Sequence, residues 1–112
     1  MKTIKKMAND FINKQAVGVT TVTTVYTAPA AKKAIMLELD VANTTSATVT
    51  ADVQLTDTSA TTTAYIVKAA PISPGGTLQV IGGQKIVLEG TDLIKVTASG
   101  AVDVVCSILE DV

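Results

Sequence analysis

From Gly18 to the end of the chain, apolar residues recur at every second position, and a period of two fits a pleated strand with one buried face and little else. In AIMLELDVA (34–42), Ile35, Leu37, Leu39 and Val41 alternate with Met36, Glu38 and Asp40. In ATVTADVQL (47–55), Val49, Ala51, Val53 and Leu55 alternate with Thr48, Thr50, Asp52 and Gln54. The first-named set of each is expected to point inward. The polar turn NTTS (43–46) between the two predicts a hairpin.

The same pattern predicts strands over 19–27, 63–69, 77–81, 84–89, 93–98 and 102–109. Turn residues separate them: Pro29, the TDTSATT loop, Pro71 to Gly76, Gly82-Gly83, Glu89 to Asp92, and Ser99-Gly100. Short strands at such spacing make an all-β fold, an antiparallel β-sandwich or barrel, immunoglobulin-like or jelly-roll-like, with about seven or eight strands. The buried Cys, Trp, Cys core of a standard immunoglobulin domain is excluded, because the chain has one Cys and no Trp. A jelly roll would take a little more chain.

The glycines of ISPGGTLQVIGGQKIVLEG (72–90) raise the possibility of a phosphate loop. A P-loop needs GxxxxGK[ST] at the opening of a helix, so that backbone N–H groups face the phosphates. Here Gly82-Gly83-Gln84-Lys85 runs into the strand-like IVLE, and no helix start follows. The expectation is a proline-led turn at PISPGG, a two-glycine hairpin joining TLQVI to QKIVLE, and a turn at EGTD.

At 112 residues the chain is one domain that buries roughly 65% of its unfolded surface. Its composition is 47% hydrophobic but only 3% aromatic, so the core must be Val, Ile, Leu and Ala, a thin core that neighbouring subunits would help. The lone Cys106 rules out an intramolecular disulfide, and its alternation with Val102, Val104 and Ile108 makes it a small buried hydrophobe. The formal charge of −1 gives no field to draw in nucleic acid or an anionic membrane. No apolar stretch is long enough to span a bilayer, and MANDFINKQ after the first lysines is not a secretory signal.

Residues 1–17 follow a different period. Ile4, Met7, Ala8, Phe11 and Ile12 recur at helical spacing, and Lys2, Lys5, Lys6 and Lys14 outweigh Asp10. The chain therefore divides into an N-terminal arm (1–17), a short amphipathic helix in this pattern, and a β-sandwich domain (18–112). So short a helix is marginal alone, and its stripe of Ile4, Met7, Phe11 and Ile12 is the candidate partner-binding surface. The internal Met7 is an alternative start, with MKTIKK an upstream extension.

Catalytic chemistry is poorly supplied. Histidine is absent, which removes the commonest general base and metal ligand near neutral pH. Cys106 lacks the His or Cys needed for a nucleophile pair or zinc site. Glu38 and Asp40 share a strand face, but glycosidase work needs a sugar cleft with aromatic platforms, so they read as a charged sheet surface. Asp57 with Thr58 and Ser59, and Glu89 with Asp92, lack the alternating acidic spacing of a calcium loop. The expectation is no catalytic residue, metal or cofactor.

What remains is surface. Val105 and Leu109 fall on the outward phase of the last strand, opposite Val104 and Ile108, and Met36, Ile66 and Val87 are similar outward-phase residues. A central strand covered on both faces would explain them, and so would a subunit interface.

MANDF (7–11), VYTAPA (25–30), LDVANTTSATVTADVQLTD (39–57), AYIVKAAPISPGGTL (64–78) and GGQKIVLEGTDLIKVTASGAVDVVCSILE (82–110) resemble the small β-sandwich virion structural proteins of tailed bacteriophages. The resemblance covers residues 7–112, and the MKTIKK extension departs from it. It implies a non-catalytic particle component made in the host cytoplasm and carried on the virion surface. The role would be a capsid decoration or cement protein bound to the shell of major capsid protein, as a homo-oligomer and a trimer by preference. Alternatives are a neck, tail or fibre accessory, or a module binding host-surface glycans, for which three aromatic residues are few.

Overall fold

Alternation of Val, Ile, Thr and Leu with polar residues builds strands along nearly the whole chain, because β-branched side chains fit the pleated surface. The computed structural model describes residues 10–111. Its strands are β1 (Asp10–Val19), β2 (Thr23–Thr27), β3 (Lys33–Asn43), β4 (Val49–Asp57), β5 (Thr62–Ile72), β6 (Thr77–Leu88), β7 (Leu93–Ala98) and β8 (Val102–Asp111). They form two four-stranded antiparallel sheets, in the orders β1-β8-β3-β6 and β2-β7-β4-β5. The all-β sandwich expected from the alternation is what forms.

The pairings β1 with β8, β2 with β7, β3 with β6 and β4 with β5 are nested, like one long hairpin rolled up so that successive strands change sheets. This is the jelly-roll order, achieved without additional chain, and it differs from the immunoglobulin order. Only β4 and β5 are successive and paired. The NTTS segment is therefore a crossover between sheets, not a hairpin turn. Asn43 organises it from a buried position: its side-chain nitrogen donates to Ala47 O (2.7 Å) and Ile72 O (2.9 Å), and its oxygen accepts from the Thr45 backbone N–H (2.8 Å).

Two further expectations change. Residues 10–17 are not helical. They are most of β1, which pairs with β8 from Asp10↔Glu110 to Val19↔Val102, so the sandwich begins at least eight residues before Gly18. Residues 1–9, with Ile4 and Met7, lie outside the described residues. The Gly82-Gly83 hairpin is also absent, since TLQVI and QKIVL run on as the single strand β6. The glycines open a bulge there. Between the pairs Met36↔Ile86 and Glu38↔Gly82, β3 contributes only Leu37 while β6 contributes Gly83, Gln84 and Lys85. Gly83 takes φ +107° and Lys85 φ +60°, and the Gln84 side chain holds the loop by accepting from Gly82 N–H and donating to Val80 O, both at 2.9 Å.

The SPGG turn forms as expected. Gly76 N–H donates to Ser73 O at 2.8 Å, with Pro74 second and Gly75 (φ +71°) third, the residue preference of a type II turn. Between the sheets lie Met36, Leu39, Val41, Val53, Ile81, Leu88, Ile94, Val96, Val102, Val104 and Ile108, all fully buried. Tyr26 is the buried ring; its hydroxyl donates to Glu110 Oε2 at 2.5 Å, tying β2 to β8 across the two sheets.

Candidate interaction face

The bulge in β3 decides which side chains face away from the core. Ahead of Leu37 the inward residues are Ala34 and Met36, and behind it they are Leu39, Val41 and Asn43. Ile35 is consequently turned outward, and it is paired with Leu109 of β8 on one side and Val87 of β6 on the other. Leu109 pairs in turn with Phe11 of β1. Phe11, Leu109, Ile35 and Val87 thus form one apolar row straight across the sheet, roughly 14 Å wide at the usual strand spacing. Phe11 is 71% exposed and Val87 62%, while Leu109 and Ile35 are half-buried between them.

The next rows on this face are more polar. Asn13, Ser107, Glu38 and Gly82 come first, then Gln15, Val105, Asp40 and Gln79, with Val105 45% exposed. Glu38 and Asp40 hydrogen-bond to each other on the outward side of β3. Desolvation, followed by that hydrogen bond and the neighbouring Glu38 charge, pushes the Asp40 carboxyl up from 3.8 to about 6.

The outer face of the other sheet is different in kind. Its cross-strand row is Thr24, Lys95, Gln54 and Tyr65, flanked by Thr97 paired with Asp52 and by Leu93 between Thr27 and Thr56. Thr56 and Thr63 hydroxyls hydrogen-bond at 3.0 Å, and Asp52 accepts from Ala69 N–H at 2.6 Å. This face is largely satisfied by hydroxyls and charges; the β1-β8-β3-β6 face is not.

Of the residues singled out from sequence, Phe11, Leu109 and Val87 meet in the row, and Val105 shares their face. Met36 does not. It is fully buried, because the bulge at Leu37 reverses the phase of β3 ahead of it. Ile12 points inward and packs against the core, one residue from Phe11 and on the opposite side of the strand. Ile66 belongs to the other sheet and also packs against the core, at an irregularity where Val53 pairs with Val67 and Gln54 with Tyr65. Ile35 was read as inward and is the residue the sequence pattern missed. The signal was the unbroken run Ala34-Ile35-Met36-Leu37, apolar in both phases.

The remaining polar groups serve the scaffold. The carboxylates of Asp57, Glu89 and Asp92 come within 4.8 Å of one another, merging two loops that looked separate in sequence. Asp92 is buried and accepts from the backbone N–H groups of Thr58 (3.2 Å) and Glu89 (3.0 Å). Asp57 accepts from Ser59 and Ala60 N–H and the Ser59 hydroxyl, which hold its carboxyl below its ordinary value. Burial pushes the Cys106 thiol up to about 11, although it lies 3.6 Å from Lys14 O. A cleft of about 380 Å³ lies at the sandwich edge, lined by Ile12, Lys14, Thr24, Val25, Tyr26, Thr27 and Glu110. Burial raises the Tyr26 hydroxyl above its ordinary value, and the Glu110 hydrogen bond adds to this.

No protein-family model matches the chain, and no curated protein is similar to it in sequence.

Proposed function

We propose that this chain is a virion structural protein of a tailed bacteriophage, a decoration or cement protein that binds the assembled shell of major capsid protein and stabilises it. The observation that carries the proposal is the difference between the two outer faces. One sheet presents hydroxyls and charges to solvent, whereas the other presents Phe11, Leu109, Ile35 and Val87 in a continuous row. An apolar band across a sheet is a surface made to be covered. The resemblance of residues 7–112 to phage virion proteins supplies the partner.

The jelly-roll order is shared by capsid and lectin domains, so the choice between them rests on the surface. Sugar binding calls for free aromatic faces. Tyr65 is half-exposed, but the Lys68 ammonium sits 4.5 Å over its ring. Protein–protein contact fits better. The chain acts without catalysis, as a homo-oligomer, a trimer by preference, repeated over joints of the shell, where many weak contacts sum by avidity.

Imaging virions that contain the chain tests this directly. Copies in the hundreds on the capsid, with the β1-β8-β3-β6 face against the shell, are the expected result. A few copies at the neck or tail would replace decoration by an accessory role there, and capsid-bound copies with that face in solvent would overturn the docking face.

A further inference from the structure

Charges of opposite sign border the apolar row on its two sides. Lys33 precedes Ile35 by two residues on β3, so its exposed side chain stands about 7 Å to one side of the row. The bulge at Leu37 brings Glu38 opposite Ser107, two residues from Leu109 on β8, so Glu38 stands about 7 Å to the other side. Regular pairing would have put Leu37 there instead. Asp40 follows on the same side, hydrogen-bonded to Glu38. Lys33 has no carboxylate partner among the described side chains.

Such a patch is its own complement. A second copy turned over about a twofold axis lying along the row sets the row against itself and brings Lys33 of each copy over Glu38 of the other. Isologous pairing demands this self-complementarity, and a face bordered by one sign of charge alone would repel its copy. Stacked sheets pack about 10 Å apart, which is close enough for the two rows to exclude water and for the flanking lysine and glutamate to meet.

The contact is small. The row is roughly 14 Å wide, and the charges extend the patch about 7 Å to either side of it. That is well short of the about 800 Å² per copy that stable dimers bury, so the pair is weak and dissociates readily.

We infer that two copies of the free protein pair face to face through their β1-β8-β3-β6 sheets, with the Phe11–Leu109–Ile35–Val87 rows in contact and Lys33 of each copy on Glu38 of the other. The pair covers the apolar row until a tighter-binding surface displaces it. Displacement by the shell rests on the docking role proposed above, whereas the pair itself forms without any virion.

The test is sedimentation equilibrium of the full-length chain, without particles, over a range of concentrations. A reversible monomer–dimer equilibrium is expected for the parent, and Phe11→Ser should shift it toward monomer. Lys33→Glu alone, or Glu38→Lys alone, sets two like-charged pairs in the contact and should weaken dimerisation about tenfold. Lys33 is exposed, so its reversal leaves the fold intact. An equimolar mixture of the two variants should recover the parental affinity, because both contacts then join opposite charges. Lys95→Glu makes the same charge change on the opposite outer face; it should leave the parental association unaltered and, mixed with Glu38→Lys, recover nothing. A parent that stays monomeric at the highest concentration overturns the inference, as does association that survives Phe11→Ser. So does reversal at Lys33 that weakens association no more than Lys95→Glu, or a mixture that fails to recover it. Because no virion is present, a monomeric parent leaves the docking face standing, and failure to decorate capsids leaves the pair standing.

Discussion

Phe11 and Ile12 are neighbours on β1 that face opposite sides of the sheet, and under the proposed docking role exchanging each for serine separates docking from folding. Phe11 retains 71% of its exposure in the free sandwich, so a partner that covers it gains most of a full aromatic burial. At about 1.5–3 kcal/mol for a large apolar side chain, that fraction is about 1–2 kcal/mol, or roughly a 5- to 30-fold change in affinity per contact. Its removal should cost the fold little, within about ±0.5 kcal/mol for a surface site, which is a few degrees of melting temperature. Ile12 packs against the core, so Ile12→Ser loses that packing and adds a hydroxyl there. A cost of about 1–3 kcal/mol lowers the melting temperature by roughly 5–15 °C in a domain of this size. Thermal unfolding and co-sedimentation with capsids stripped of the protein are the two assays. Phe11→Ser should melt like the parent and sediment poorly, while Ile12→Ser should melt early and, below its transition, still bind. A Phe11→Ser protein that melts as early as Ile12→Ser, or that binds capsids with parental affinity, refutes the assignment of the two faces of β1.

The other predictions concern the scaffold and its titration. Asn43→Ala removes the donor to the Ala47 and Ile72 carbonyls and should cost about 2–3 kcal/mol in urea unfolding, far more than Thr44→Ala at the exposed neighbouring position. With its pKa raised from 3.8 to about 6, Asp40 makes the folded protein bind more protons than the unfolded chain between about pH 4 and 6. That contribution to stability is present at the acid end of the window and is lost as pH rises through it. Asp40→Asn should therefore flatten the pH dependence in this window, and a parent-minus-variant difference that grows with pH would contradict the carboxyl pair. Cys106, buried and pushed up to about 11, should react with thiol reagents only at the rate of unfolding, measured as modification against urea concentration.

Period-two alternation was enough to predict a β-sandwich, because burying one face of a sheet demands it, and the inward phase was correct wherever the strands ran regularly, as at Leu39, Val41, Val49, Val53, Val102 and Ile108. Two mistakes offset each other in the strand count. The Gly82-Gly83 bulge looked like a hairpin turn, dividing β6 in two, while the helical spacing of Ile4, Met7 and Phe11 disguised residues 10–17 as something other than β1. Topology was not legible in either case. The NTTS turn carries the chemistry of a tight connection, and nothing in those residues says whether the next strand pairs with the last or crosses to the other sheet; the Asn43 contact with Ile72, twenty-nine residues away, is what holds the crossover.

The candidate face depends on the same irregularity that confused the pattern. A one-residue shift in a strand moves every side chain to the opposite surface. Had β3 continued without a bulge at Leu37, Leu39 and Val41 would have required Ile35 inside and Met36 outside, as strict alternation predicts. The β3 bulge, matched on β6 by Gly83 to Lys85, instead places Met36 in the core and Ile35 in line with Leu109 and Val87. The local cost is borne by Gly83 and Lys85 at positive φ and by the Gln84 side chain that satisfies the opened backbone. The distortion places an apolar row on the outside, which ties the glycine pair to the candidate interaction face and not to a ligand loop.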